Sequence, residues 1–305
     1  MKNQKHATIY GLSAVMLWST VATAFKISLQ HFSPLQLLFY SSLCCIMLLT
    51  AILGWQGKLQ QVYHCIKTAP THYLLLGTMN PFIYYLLLLQ GYDLLPAQQA
   101  QPINYTWAIT LTLLSIPILK QKITLLAFLA CLVSYLGVLV ISTKGELLSL
   151  NFSNPLGVLF LLTSTLFWAL YWLLNTKQNH DPVVSLLACF LMGFPLLIIS
   201  TAAFADFTIP HWHGFAGALY IGLFEMGFSF ILWLNAMRLA ENTAKISNLI
   251  FLAPFTSLIF IHYLLGESIH PATYVGLVLI ITGIVLQQRL SHRSASIKGK
   301  KVAVN

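Results

Sequence analysis

Apolar residues run through this chain in long blocks that are separated by short polar joins. Ten blocks reach the length of about 20 mostly apolar residues that a helix needs to cross a bilayer. They cover residues 7–29, 34–54, 72–91, 96–118, 123–143, 155–175, 183–205, 214–237, 242–265 and 271–288. Residues 289–305 form a basic polar tail. The pattern predicts an all-α polytopic membrane protein with ten transmembrane helices.

The composition supports this class of protein. Of 305 residues, 58% are apolar and 8% are charged, whereas an average soluble domain is about 25% charged. So few charges cannot cover a surface exposed to water, which argues against a soluble globular enzyme. Fourteen of the 16 Lys and Arg residues lie outside the apolar blocks, and they form no basic stripe with interleaved aromatic residues, so we expect a lipid bilayer and no nucleic acid as partner.

The basic residues also predict the orientation. With the N-terminus inside, thirteen of the 16 Lys and Arg residues fall on inner segments, and only Lys26 and Lys144 fall at outer ends. Cytoplasmic loops of membrane proteins carry such an excess. We therefore expect a multi-pass protein of a bacterial cytoplasmic membrane with both termini in the cytoplasm.

The chain contains a weak internal repeat. An offset of 146 residues, with small slips, places Trp18 opposite Trp168 and Gly77 opposite Gly222. Residues 7–143 and 154–288 then hold five spans each, and an odd number of spans makes the second copy enter from the opposite side. Such inverted repeats are common in transporters. A duplicated scaffold without transport is the alternative.

The second half carries a set of features in a fixed order: Pro254 in the ninth span, Gly266-Glu267 at its end, then Gly276 and Gly283 in the last span. This order resembles the EamA family of the drug/metabolite transporter superfamily. The resemblance extends over residues 7–288.

In the first half, Asn104-Tyr105-Thr106-Trp107 resembles the Asn-Tyr-x-Trp element of an aromatic amino-acid exporter branch. The chain departs from the family at Gln121, where many members carry an acid, and at Ala108, which corresponds to Pro254.

The resemblance implies a ten-span transporter of the bacterial inner membrane. We predict a secondary transporter that exports a small organic metabolite, such as an amino acid or a related amphipathic solute, by alternating access with proton coupling. A membrane-embedded enzyme and a passive facilitator or channel are the alternatives. The sequence carries no GxSxG, HExxH or phosphate-loop motif, so we expect no enzyme, no cofactor and no metal site.

Glu225 is the sharpest candidate residue because it is the only acid in the interior of a predicted span. A carboxylate at that depth is costly unless it faces a cavity or a partner. A proton-binding or substrate-binding role and a structural ion pair are both open. Asn80 is its counterpart in the first half, with a local helix cap as the alternative.

Three further groups complete the candidate substrate or coupling site. Gln101, Asn104 and Tyr105 share one helical face, Trp18, Trp168, Tyr171 and Trp172 form an aromatic group, and Lys245 and Asn248 begin the ninth span. The alternatives are interhelical hydrogen bonding, ordinary packing and snorkelling to lipid headgroups. Small residues at helical spacing in spans five and ten suit helix packing or a homodimer face.

Overall fold

The computed structural model describes residues 2–119, 124–147, 153–175, 180–208, 211–241, 246 and 248–302. This part of the chain is helical and holds no strand. The helices are α1 (Gln4–Leu29), α2 (Pro34–Trp55), α3 (Leu59–Thr68), α4 (Pro70–Leu94), α5 (Ala97–Asn104), α6 (Trp107–Leu119), α7 (Leu125–Ser142), α8 (Pro155–Asn175), α9 (Pro182–Phe204), α10 (Trp212–Leu239), α11 (Asn248–Leu265) and α12 (Pro271–Val302).

Short polar side chains begin several of these helices. Ser33 caps α2, because its hydroxyl accepts a hydrogen bond from the backbone N–H of Gln36, whose side chain accepts one in return from Ser33. Asp181 caps α9 in a similar way by accepting from the N–H of Val183 at 3.0 Å. A proline follows each cap at the first helical position, where its missing N–H costs nothing.

Eight of the described helices are long and apolar enough to cross a membrane, and the protein is a multi-pass membrane protein. The fourth predicted span differs from the expectation, since a turn at Tyr105 and Thr106 divides it into α5 and α6. The tenth predicted span corresponds to a shorter apolar stretch, Pro271–Gln287, within α12. The short helix α3 was not predicted; it buries Val62 and Cys65 and leaves Tyr63 exposed.

Most helix pairs join one half of the chain to the other. In the first half, α1 packs against α10 and α11; in the second half, α8 packs against α4 and α6. The helices α2 and α9 pack against each other, and so do α7 and α12. The contacts of α1 with the second half thus correspond to those of α8 with the first half. In the other two pairs, the two partners occupy corresponding positions in the two halves.

Two helices, α4 and α10, contain a π-helical segment in mid-span. The segments are Thr78–Ile83 and Ile221–Phe228, and each begins beside a glycine in close contact with the other half. A Cβ atom on Gly77 would collide with the backbone of α9, and one on Gly222 would collide with the backbone of α2. Both crossings therefore require a residue without a side chain.

The small residues of spans five and ten are buried between α7 and α12 of the same chain. A Cβ atom on Gly137 would lie 2.5 Å from the carbonyl oxygen of Gly276, and the Ser134 hydroxyl donates to the carbonyl of Ile280 at 2.9 Å. This small-residue face is occupied within the chain. The outward faces of the two helices carry exposed apolar side chains such as Leu125 and Val278.

Candidate functional site

A cavity of about 570 Å³ lies between the two halves of the bundle. It is lined by α1, α4, α5 and α6 from the first half and by α8, α10 and α11 from the second. Its volume falls within the range of about 300–1,000 Å³ that is typical of small-molecule sites. The lining residues are Trp18, Val21, Phe25, Tyr84, Leu88, Tyr92, Gln101, Asn104, Tyr105, Trp107, Ala108, Leu111, Thr112, Ser115, Trp168, Trp172, Leu173, Glu225, Phe230, Trp233, Ile250 and Phe251.

Aromatic rings form a continuous wall of this cavity. The ring of Trp18 lies 5.4 Å from that of Trp233 and 6.0 Å from that of Phe230, measured between centroids. Phe230 in turn lies 5.8 Å from Trp168, which stacks on Tyr84 at 4.5 Å. These edge-to-face and stacked distances are those of favourable aromatic pairs, so the wall is firmly packed.

Glu225 brings the one carboxylate of the described lining into the cavity. It lies in the π-helical segment of α10 and is 8% exposed. One of its oxygens, Oε1, accepts a long hydrogen bond of 3.3 Å from the hydroxyl of Tyr85. The other, Oε2, has no hydrogen-bond partner among the described residues. Within the same residues, no cation forms an ion pair with it.

The ammonium group of Lys26, on the cavity-lining helix α1, binds the end of α4. It donates to the carbonyl oxygens of Tyr92 and Leu95, at 2.8 and 3.2 Å. These carbonyls stand at the C-terminal end of α4, where a cation is favourable because the helix dipole is negative there. Lys26 therefore stabilises the end of a helix instead of neutralising Glu225.

The break between α5 and α6 exposes polar side chains to the cavity. Gln101 accepts a hydrogen bond from the hydroxyl of Tyr92, and the amide of Asn104 lies next to the hydroxyl of Tyr84. The Oδ1 atom of Asn104 has no partner among the described residues. Irregular backbone at membrane depth is tolerated where it lines a cavity, and this turn fits that rule.

A polar cluster closes the bundle at the start of α5. The carboxylate of Glu267 accepts hydrogen bonds from the backbone N–H groups of Ala97 and Gln98, at 2.9 and 3.2 Å. The side chain of Gln98 donates to the carbonyl of Ser268 and accepts from the N–H of His270. We call these five residues the α5 latch; it joins the first half to the loop between α11 and α12.

The sequence model of the EamA-like transporter family matches this chain twice, over residues 6–143 and 155–287. The chain belongs to the EamA-like transporter family. Its second half therefore carries Glu225 and the α5-latch residue Glu267 within one family match, while the N-terminal half supplies Gln98 and Asn104 from the other.

Relatives of this EamA-like transporter are also transporters by name. It is 24% identical to an uncharacterized transporter of Archaeoglobus fulgidus over 92% of this chain and 96% of that protein. It is 23% identical to the uncharacterized transporter YoaV of Bacillus subtilis over 90% of this chain and 94% of that one. These names indicate a transporter and not an enzyme.

A crystal structure of another protein shares the fold. It matches 95% of this chain and 99% of its own with a TM-score of 0.68 and 18% sequence identity. At that identity the similarity concerns the helical architecture and carries no information on the solute.

The structure brings most of the sequence-derived candidates of this EamA-like transporter together. Seven of them line the cavity: Trp18, Gln101, Asn104, Tyr105, Trp168, Trp172 and Glu225. Tyr171 is buried behind the wall, where its ring stacks on Trp168 at 5.7 Å. Asn80 is buried next to the Tyr171 hydroxyl, and Asn248 is exposed at the start of α11. Lys245 lies outside the described residues.

Sequence reasoning missed several aromatic residues of the cavity. Tyr84 and Tyr92 of α4, and Phe230 and Trp233 of α10, line it but were not among the candidates. Tyr84, Leu88 and Tyr92 recur every four residues, which places them on one helical face. That spacing could have indicated a cavity-lining face of α4, although ordinary helix packing produces the same spacing.

Proposed function

We propose that this EamA-like transporter is a secondary transporter that exports a small, amphipathic organic solute by alternating access. The two repeats, residues 7–143 and 154–288, have opposite orientations and contribute five spans each to a ten-span bundle. The protein resides in a bacterial cytoplasmic membrane with both termini inside. Any homodimer uses the outward apolar faces of α7 and α12, because their small residues are occupied within the chain.

The observation that carries this proposal is the cavity between the halves with its lone acid. Seven helices from both halves line the cavity, and Glu225 is the charged residue of the described lining. A site enclosed between two repeats can be exposed to either side when the repeats move against each other. A buried carboxylate in such a site can bind a proton in one half of the cycle and a solute or cation in the other.

The two ends of the cavity differ in a way that supports alternating access. With the N-terminus inside, the α5 latch lies at the outer end, where it ties α5 to the loop after α11. The lining extends the other way, to Leu173 near the end of α8, Trp233 near the end of α10 and Phe251 near the start of α11. We infer that this conformation faces the cytoplasm.

A transport experiment tests the proposal. The full chain is reconstituted into proteoliposomes, and amino acids, amines and sugars are screened by counterflow. Flux of the best solute is then measured with and without a pH gradient. We expect the gradient to stimulate the wild type and to have no effect on Glu225→Gln, which keeps the shape of the side chain but cannot lose a proton.

Glu241→Gln is the matched control, because Glu241 is exposed in the segment after α10. It should respond to the gradient as the wild type does. Equal stimulation of the wild type and Glu225→Gln would exclude Glu225 as the coupling group. Flux no greater than that of empty liposomes, for every solute, would refute transport of these classes.

A further inference from the structure

The described lining of the cavity carries an acid without a base. Among the lining residues that the structure describes, Glu225 is an acid, and no Lys, Arg or His is present; Lys245 lies outside the described residues. The ammonium group of Lys26, on the lining helix α1, donates to two carbonyl oxygens at the end of α4 and forms no ion pair with Glu225. An anionic solute would therefore meet a carboxylate in a low-dielectric site, and like charges repel strongly there.

We propose that the solute is an organic cation: a protonated amine on an apolar or aromatic body, without a free carboxylate. This inference rests on the proposed function, since it takes the cavity as the substrate site. It narrows the solute from any small amphipathic metabolite to those that carry a net positive charge.

The hydrogen-bonding groups of the cavity fit an ammonium donor. The Oε2 atom of Glu225 and the Oδ1 atom of Asn104 are hydrogen-bond acceptors of two lining residues, and both are buried without a partner among the described residues. A primary ammonium group presents three N–H donors and no acceptor. Its contact with Glu225 is a charge-assisted hydrogen bond, which is about twice as strong as a neutral one.

The aromatic wall fits the same chemistry. Five of the lining residues are tryptophans, and Trp18, Trp168 and Trp233 belong to the wall described above. Tryptophan is the best partner for a cation held over an aromatic face within about 6 Å. The same rings stack on an aromatic body, so one wall serves both parts of the solute.

Matched probes of opposite charge test this proposal. The purified full-length protein is titrated with tryptamine and with indole-3-propionate, and the phenyl pair 2-phenylethylamine and 3-phenylpropionate repeats the comparison. Calorimetry gives the dissociation constants, and ligand-induced thermal stabilisation checks them. We expect each amine to bind the wild type at least about tenfold more tightly than its acid.

In Glu225→Gln the preference should fall to within about threefold, because the amide attracts neither charge. Glu241→Gln should keep the preference of the wild type. An acid that binds the wild type as tightly as its amine overturns the proposal, as does failure of both amines to bind. The wild-type comparison alone decides the matter if Glu225→Gln does not fold.

Transport and binding separate the two proposals. If the amines bind selectively but proteoliposomes do not move them, the cation site stands and the transport function fails. If amino acids or acids are transported while the amines are neither bound nor moved, transport stands and the cation proposal fails.

Discussion

The two π-helical segments, in α4 and α10, occupy matching places in the two halves of the chain, yet their polar residues meet different surroundings. A glycine that touches the other half precedes the first segment, as Gly77, and lies at the second position of the other, as Gly222. Glu225 of the second segment lines the cavity. Asn80 of the first is 1% exposed and lies next to the Tyr171 hydroxyl, outside the cavity.

The two halves therefore share the backbone geometry of these segments but not the surroundings of their polar side chains. The backbone geometry is shared, because the close crossings of α4 with α9 and of α10 with α2 impose the same requirement for glycine. The side-chain environment is not shared, because Asn80 lies next to the hydroxyl of Tyr171, whose ring stacks on Trp168 of the cavity wall, whereas Glu225 itself lines the cavity. A repeat thus predicts where a helix deviates, but not whether the residue there contacts a solute.

The largest expected effect concerns transport. Glu225→Ala should reduce flux by at least about tenfold, because it removes the carboxylate that the proposed ammonium solute contacts, and a hydrogen bond to a charged group contributes about 1.5–3 kcal/mol. Asn80→Ala should reduce it by less than about threefold, because Asn80 lies outside the cavity and its side chain has no hydrogen-bond partner to lose among the described residues. Initial rates in proteoliposomes, normalised to the amount of folded protein, measure both. Similar losses in the two variants would show that the segments act alike.

The next effect concerns stability and should be the same in both halves. Gly77→Ala and Gly222→Ala each place a methyl group against backbone of the neighbouring helix, and such overpacking costs about 1–3 kcal/mol. Gly54→Ala is the control, because its Cβ would make an ordinary contact of 3.5 Å with Leu59. Thermal unfolding in detergent should show two lowered midpoints and an unchanged or raised one. A lowered unfolding midpoint for only one of the two variants would show that the two halves do not share this backbone requirement.

The smallest effect concerns the hydrogen bond from the Tyr85 hydroxyl to the carboxylate of Glu225. Tyr85→Phe removes the hydrogen bond that the carboxylate accepts from the part of the chain that the structure describes, and at 3.3 Å that bond is long. We expect the affinity for tryptamine to change by less than about threefold. A loss as large as that of Glu225→Gln would mean that Tyr85 itself contacts the solute.

Sequence reasoning identified residues that line the cavity where a residue stood out against its surroundings. Glu225 could be found because an acid in a long apolar block is rare, and Trp168 and Trp172 because their spacing gave one helical face. The family assignment is confirmed by two matches that span most of the chain. The proposed site itself stays a prediction until transport or binding is measured.

Other features depended on tertiary contacts that no local pattern reveals. The turn at Tyr105 interrupts a segment whose hydropathy predicts a continuous span, and its free polar groups are tolerated because they face a cavity. Tyr84 and Tyr92 resemble any aromatic residues of an apolar helix until α8 and α5 pack against them. The carboxylate of Glu267 binds backbone N–H groups of α5, so this contact cannot be predicted by pairing charged residues in the sequence.

The pairing of α7 with α12 has a consequence for how the protein is made. The glycine and serine face of α7 fits α12, whose residues leave the ribosome only after four other long apolar helices have followed α7 into the membrane. Until then the small-residue face of α7 lacks the α12 surface that covers Gly137 and Ser134 in the folded bundle. Biogenesis of this bundle is therefore completed by its last helix, and a chain truncated before Pro271 would leave this face of α7 uncovered.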